Sequence, residues 1–516
     1  MRFPRSAGVL MHPTSLPSRF GIGDVGESAR RFVGWLADAG QSLWQILPLG
    51  PTGYGDSPYA SFSAFAGNPL LLDLDRLADE GDVDRADLDA APPFPDEQVD
   101  FGPVIEFKTA VLARAATRFR QHANAERRAA FDLFRTDNAE WLDDYALFRA
   151  LKDDHGGAVW KTWERPLAAR QPDALAKAHD RLADAVFVQC YAQWQFLRQW
   201  ADLKRTANER GIRILGDIPI FVAYDSADVW AHPDLFHLDD TFAPTAVAGV
   251  PPDYFSKTGQ LWGNPLYRWR TMAEQDYAWW VARIRQTLRS VDIVRLDHFR
   301  GFAAYWEVPA GDRTAENGRW VKGPGAKLFD ALTAALGDLP LVAEDLGLIT
   351  PDVHALRARF ELPGMAVLQF AFADDAANHY LPHNVEPNTA IYTGTHDNET
   401  TCGWHASRQA KEKAALHTYL GPTDEPIHWA LIRAAYRTVA DLAIVPLQDV
   451  LGLDNEARMN APGRFGGNWA WRARPDALQA DLAARLRDLA TTYGRTPLPE
   501  KPGADTDALP YEPAEE

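Results

Sequence analysis

A chain of 516 residues, 46% hydrophobic and 24% charged, has the composition of a globular protein able to bury a large core. Its net charge of −18 and pI near 5.2 argue against nucleic acid and anionic membrane as partners and suit a neutral ligand. The opening MRFPRSAGVLMHPTSLP lacks the apolar core of a signal peptide, and no stretch approaches about 18 uninterrupted apolar residues. Cys190 and Cys402 form neither a disulfide framework nor a zinc spacing, so a reduced, cytoplasmic protein is expected.

In chain order, Ser42 to Gly50 (SLWQILPLG) reads as the first strand. The Gly-, Pro- and Tyr-rich stretch after it, PTGYGDSPYASFS, reads as a binding loop with rigid aromatics, including Tyr54 and Tyr59. Pro69 to Leu74 (PLLLDL) reads as the next strand. From Asp75 to about Gly211 the spacing becomes helical, as in Phe107 to Arg120 and Asn138 to Lys152, with a Pro-rich break at Ala91. A mostly helical insertion over 75–182 is expected, running into a barrel helix at Ala183 to Glu209. Gly211 to Val222 is the third strand, with Asp217 near its end. Ala246 to Pro265 carries two adjacent prolines and three glycines and reads as a long functional loop within an insertion over 223–290.

Three later strands break into charge. Val291 to Arg300 (VDIVRLDHFR) is β-branched and apolar until Arg295, Asp297, His298 and Arg300. Arg295 precedes Asp297 by two residues and therefore points to the same side of the strand, where it can hold the carboxylate ionised. Pro340 to Gly347 breaks into Glu344 and Asp345, and Ala390 to Thr401 into His396 and Asp397. In a parallel β/α barrel such strand ends form the active-site floor, so the three carboxylates converge. Gly364 to Phe370 and Leu442 to Leu451 complete eight strands, and Asp476 to Tyr493 reads as a final helix. One domain over 1–496 follows, with a disordered Pro- and acid-rich tail at 497–516. Eighteen tryptophans, several beside Gly, Asn or Pro, lean toward carbohydrate, although core packing accounts for most of them.

Ordered blocks carry a family resemblance: SPYASFSAFAGNPLLLDLD at Ser57, GDIPIFVAYDSADVW at Gly216 and GVPPDYFSKTGQLWGNPLYRW at Gly249. RLDHFRGF at Arg295, VAEDLG at Val342, GTHDN at Gly394, and MNAPG followed by GNWAWR from Met459 continue it. The chain resembles the amylomaltases, the 4-α-glucanotransferases of the α-amylase superfamily. The resemblance implies an α/β fold, a (β/α)8 TIM barrel with large, mostly helical insertions and no C-terminal β-sandwich. It implies Asp297 as nucleophile, Glu344 as acid/base and Asp397 as stabiliser of the distorted sugar.

It also implies that Tyr59 stacks under the sugar and that Asp217 supports the floor. Asp253 and Phe255 would contact the acceptor, Gln260 and Trp262 would line the groove, and Arg295, His298, His396 and Asn468 would hold the substrate. Asn460 and Trp469 would close the groove beside Asn468. A secondary glucan site would use Tyr54 and Phe101, where members often carry Tyr at the second position. Lys257 stands where members carry Glu. The implied partners are α-1,4-glucans, with a glucan or glucose as acceptor, and no metal or cofactor is expected. Two alternatives stay open on the sequence: an amylolytic hydrolase with the same trio, and a non-catalytic glucan-binding barrel.

Overall fold

The structure is a computed structural model and describes residues 2–252, 256–347, 349–464 and 466–496, the side chain of Tyr54 excepted. Asp253, Phe255 and the expected disordered tail at 497–516 lie outside the described residues.

Twelve strands are present among the described residues. In chain order they are β1 (Ser6–Leu10), β2 (Leu43–Gln45), β3 (Arg213–Pro219), β4 (Ala246–Val250), β5 (Gln260–Pro265) and β6 (Ile293–Asp297). There follow β7 (Ala304–Pro309), β8 (Arg319–Lys322), β9 (Leu341–Ala343), β10 (Gly364–Val367), β11 (Thr389–Tyr392) and β12 (Leu442–Pro446). Eight form a parallel sheet in the order β10-β11-β12-β1-β2-β3-β6-β9. Its two ends approach each other, and the chain is a (β/α)8 barrel. The Ala343 N–H donates to the Pro363 carbonyl at 2.8 Å, and the Met365 N–H to the Asp345 carboxylate at 2.7 Å. A buried carboxylate thus takes the place of a ladder bond at the seam. Gly364 makes room for it, because a Cβ there would stand 2.6 Å from Asp345 Oδ2.

Two apolar layers enclose the strands. Leu10, Leu43, Leu215, Ile293, Val342, Tyr392 and Ile444 fill the barrel interior. A larger cluster packs the outer faces of the strands against the surrounding helices. It continues without a break into the segment between residues 74 and 208, which is helical apart from turns and an isolated bridge at Gln98. No helix among the described residues is long and apolar enough to cross a membrane. Both cysteines are free.

Three expectations are corrected. Pro69 to Leu74 is not a strand but a 3₁₀ turn, Pro69–Leu71, followed by a helix from Leu74. The Asn68 and Asp73 side chains accept the Leu70 and Arg76 N–H groups, so two caps start helical turns where apolarity alone suggests extension. The first barrel strand is instead Ser6–Leu10, and Leu43–Gln45 is the second. The stretch Ala246 to Pro265 is not only loop: β4 and β5 pair antiparallel within a second sheet of order β5-β4-β7-β8. The final helix runs Ala480–Thr492.

Candidate active site

Each of the three carboxylates sits where its barrel strand stops. Asp297 is the last residue of β6, while Glu344 and Asp397 follow β9 and β11. All three line one open cleft of about 690 Å³ at the C-terminal ends of the strands. Tyr59, Gln260, Trp262, Arg295, His298 and His396 line the same cleft, so the structure brings together most of the residues singled out in the sequence.

Beneath the cleft an ion-pair relay crosses neighbouring strands. Asp217 and Arg295 face each other in register on β3 and β6. Arg295 Nη1 lies 2.6 Å from Asp217 Oδ2 and 3.0 Å from Asp297 Oδ1. The Tyr59 hydroxyl donates to the same Asp217 oxygen at 2.8 Å. Arg295 and Asp217 are buried, whereas the Asp297 side chain keeps 28% of its surface open to the cleft. One buried guanidinium therefore serves a sealed carboxylate and an accessible one.

Glu344 is held by backbone. Its Oε2 accepts the His298 N–H at 2.8 Å and its Oε1 the Leu346 N–H at 2.9 Å. His298 has φ of +52°, a left-handed conformation that a non-glycine residue adopts at a cost, and its N–H carries the bond to Glu344. Burial pushes the Glu344 carboxyl up, against Arg295 and the two N–H donors, with Asp345 adding to the rise. Burial also pushes Asp297 up, opposed by Arg295 and reinforced by Asp217, Glu344 and Asp397. Both effects act the same way: the neighbouring carboxyls resist ionising together.

Asp397 is fixed by the last motif of the chain. The Asn460 amide donates to Asp397 Oδ1 at 2.6 Å, and Arg458 donates to the Asp397 carbonyl at 2.6 Å. His396 Nε2 lies 3.3 Å from that same Oδ1. Burial lowers His396, and it drives His12 behind it down to about 3, so both imidazoles are neutral. The Tyr59 ring stacks on His396 with centroids 5.1 Å apart and planes 16° apart, and Trp469 leans on both. Opposite them Trp262 meets His298 edge-on at 4.7 Å and donates its indole N–H to Gln260 at 3.1 Å.

Other expected positions fall outside this cluster. Asn468 uses its amide within its own loop, accepting the Ala461 N–H and donating to the Arg464 carbonyl, and it is Trp469 that reaches the cleft. Phe101 opens the helix Phe101–His122 and packs half-buried on apolar neighbours. Tyr54 lies in the turn Tyr54–Asp56, its side chain outside the described atoms. Arg458, His12 and Trp320 are cleft or support residues that the sequence patterns leave unmarked. Arg458 directly precedes the MNAPG block, the one signal that could have pointed to it; His12 and Trp320 carry none.

An apolar barrel with three convergent carboxylates, a buried arginine and aromatic walls belongs to the glycoside-processing enzymes of the α/β-barrel class. Comparison with known families narrows this. Residues 11–478 match the family model described as 4-alpha-glucanotransferase. The 4-alpha-glucanotransferase of Thermus thermophilus is 52% identical over 503 residues, covering 96% of this chain and 100% of that one. Its counterpart from Synechocystis sp. is also 52% identical, covering 95% and 98%. The amylomaltase from Streptococcus agalactiae, solved in complex with acarbose, superposes with a TM-score of 0.93 at 40% identity, covering 96% and 100%. The chain belongs to the 4-alpha-glucanotransferase family.

Proposed function

We propose that this chain, a 4-alpha-glucanotransferase by family, moves α-1,4-glucan segments to the 4-hydroxyl of a glucan or glucose by two successive displacements. In the first, an Asp297 oxygen bonds to the anomeric carbon as the bond to the leaving O4 breaks, and Glu344 gives that oxygen its proton. In the second, the Glu344 carboxylate takes the proton of the acceptor 4-hydroxyl. The acceptor oxygen then bonds to the anomeric carbon and frees Asp297. Each displacement inverts the carbon, so the α configuration is kept.

The single observation that carries this reading is the unequal treatment of two neighbouring carboxyls. Asp297 is open to the cleft and touches a buried guanidinium, which favours its anion. Glu344 accepts two backbone N–H groups, which favour its anion, but burial outweighs them and raises its carboxyl, which suits the proton donor. Burial raises Asp297 as well, so the two carboxyls share one proton, and in this scheme the Arg295 contact draws the charge to Asp297 and leaves the proton to Glu344. Asp397, held by Asn460 and accessible from the cleft, is suited to accept hydrogen bonds from ring hydroxyls of the distorted sugar. Tyr59 supplies the ring face beneath that sugar, and its hydroxyl is already committed to Asp217.

Transfer outruns hydrolysis only if the acceptor is positioned and water is kept from the glucosyl ester. The walls available for this are Trp262 and Gln260 on β5 and Trp469 on the opposite side. Glucans fit the balance of the cleft, since aromatic faces match apolar sugar faces while carboxylates and amides match hydroxyls.

The test is capture of the ester. A donor with a good leaving group, given to the Glu344→Gln variant, should leave a glucosyl adduct on the peptide containing Asp297, read by mass spectrometry. An adduct on another residue, or a first product of inverted configuration, would contradict the scheme.

A further inference from the structure

Most of the eighteen tryptophans are sequestered, and Trp44, Trp160, Trp200, Trp230 and Trp280 are fully buried. Two stand out as exposed: Trp262 at 37% and Trp320 at 42%. Both belong to the small sheet, on its opposite edge strands β5 and β8, and both line the cleft that holds Asp297. Leaving an indole in water forfeits burial free energy that the core would return, so two that line one cleft point to a ligand.

Trp320 is braced. The Arg300 guanidinium carbon lies 3.9 Å from the centroid of its ring, and Trp306 crosses it edge-on at 5.2 Å and 68°. A ring fixed from two sides loses little freedom when a sugar settles on what remains exposed. Trp262 is braced in the same manner by His298, so both indoles are anchored to the segment that directly follows the Asp297 strand.

The register of the sheet sets their spacing. Leu261 pairs with Gly249, Gly249 with Trp306, and Trp306 with Trp320. Three interstrand steps of about 4.8 Å place the Trp320 backbone roughly 14 Å across the sheet from that of Leu261; Trp262, one residue on, leaves the opposite face of its strand, and both indoles line the cleft. One pyranose ring does not bridge that distance. A glucan lying at Trp262 reaches Trp320 only with further units.

We propose that Trp320, held by Arg300 and Trp306, is the platform of an outer glucosyl subsite that makes the enzyme favour long glucans. The occupant is a sugar unit of the same neutral α-1,4-glucan, several units from the bond that breaks, because the cleft runs without interruption from Asp297 to Trp320. The indole face left open by Arg300 and Trp306 takes the apolar face of the sugar ring. The inference rests on the transferase reading above.

Two measurements separate the subsite from that reading. In initial rates, the ratio of kcat/KM for amylose to that for maltotriose should fall about tenfold in Trp320→Ala, and Trp320→Tyr should recover most of it. In native gels containing amylose, which need no turnover, Trp320→Ala should migrate faster than the parent protein. An equal loss on both substrates would assign Trp320 a purely structural role. An unchanged ratio together with unchanged migration would overturn the subsite. A parent protein that is retarded by amylose yet forms no longer sugars would instead sink the transferase reading and leave the subsite standing.

Discussion

Arg295 makes its shorter ion pair with Asp217, at 2.6 Å, and its longer one with Asp297, at 3.0 Å. The arginine is therefore anchored by the strand behind it and only leans on Asp297, the proposed nucleophile. In Asp217→Asn that anchor loses its charge, and the Tyr59 hydroxyl loses its anionic acceptor. Removing one partner of a buried pair costs about 3–5 kcal/mol, and the lower end applies because Asp297 remains as a second partner. Chemical denaturation should report this loss, while kcat falls with the cleft still able to bind glucan. A variant as stable as the parent would show that the relay is not structural.

Asp297→Asn should abolish transfer, by about 10⁴-fold or more, and retain the fold. Its effect on stability has a definite sign. A carboxyl raised in the folded state binds a proton that the unfolded chain has released, so stability falls as pH rises from about 4 toward the raised value. Asn at 297 removes that contribution, and the fall in melting temperature across this window should be shallower than in the parent. A steeper fall would reverse the assignment of burial as the dominant cause.

Glu425 provides the opposite case far from the cleft. Arg433 at 2.7 Å and Arg485 at 3.0 Å hold its carboxyl down to about 2. The stabilisation is present above the unfolded value near 4.3 and is lost as pH falls from there toward 2. Glu425→Gln should lower stability at pH 7 by on the order of 2 kcal/mol and converge with the parent in acid. Parallel curves at all pH values would contradict the linkage.

Trp262 stands over His298, next to Asp297, the proposed nucleophile. Trp262→Ala opens that wall and should raise the ratio of hydrolysis to transfer, on the order of tenfold, with a smaller change in total turnover. Free glucose and new oligosaccharides, counted together over time, give the ratio. If it stays constant, water is excluded by other parts of the cleft.

The three cleft carboxylates are legible in the sequence because each interrupts an apolar strand, and a buried strand tolerates charge mainly where it opens onto solvent or a cleft. The Arg295–Asp297 spacing is legible too, but not the stronger bond to Asp217, which depends on β3 and β6 being neighbours in register. Ser6–Leu10 escapes recognition because SAGVL offers three small residues and no alternation, and only its burial between β12 and β2 makes it a strand. Pro69 to Leu74 misleads for the converse reason: its apolar side chains are buried, but Asn68 and Asp73 decide the backbone. The small sheet is hidden by the glycines within β4 and β5 and the prolines that follow β4 and end β5, which resemble loop punctuation. Trp320 could not be told from a core tryptophan without knowing that β8 is an edge strand.

The most direct test of glucosyl transfer through this cleft is incubation with pure maltotriose, following every sugar and the total of reducing ends. Transfer predicts glucose together with maltopentaose and longer sugars while reducing ends stay constant. A steady rise in reducing ends, with no product longer than maltotriose, would contradict it and make water the acceptor.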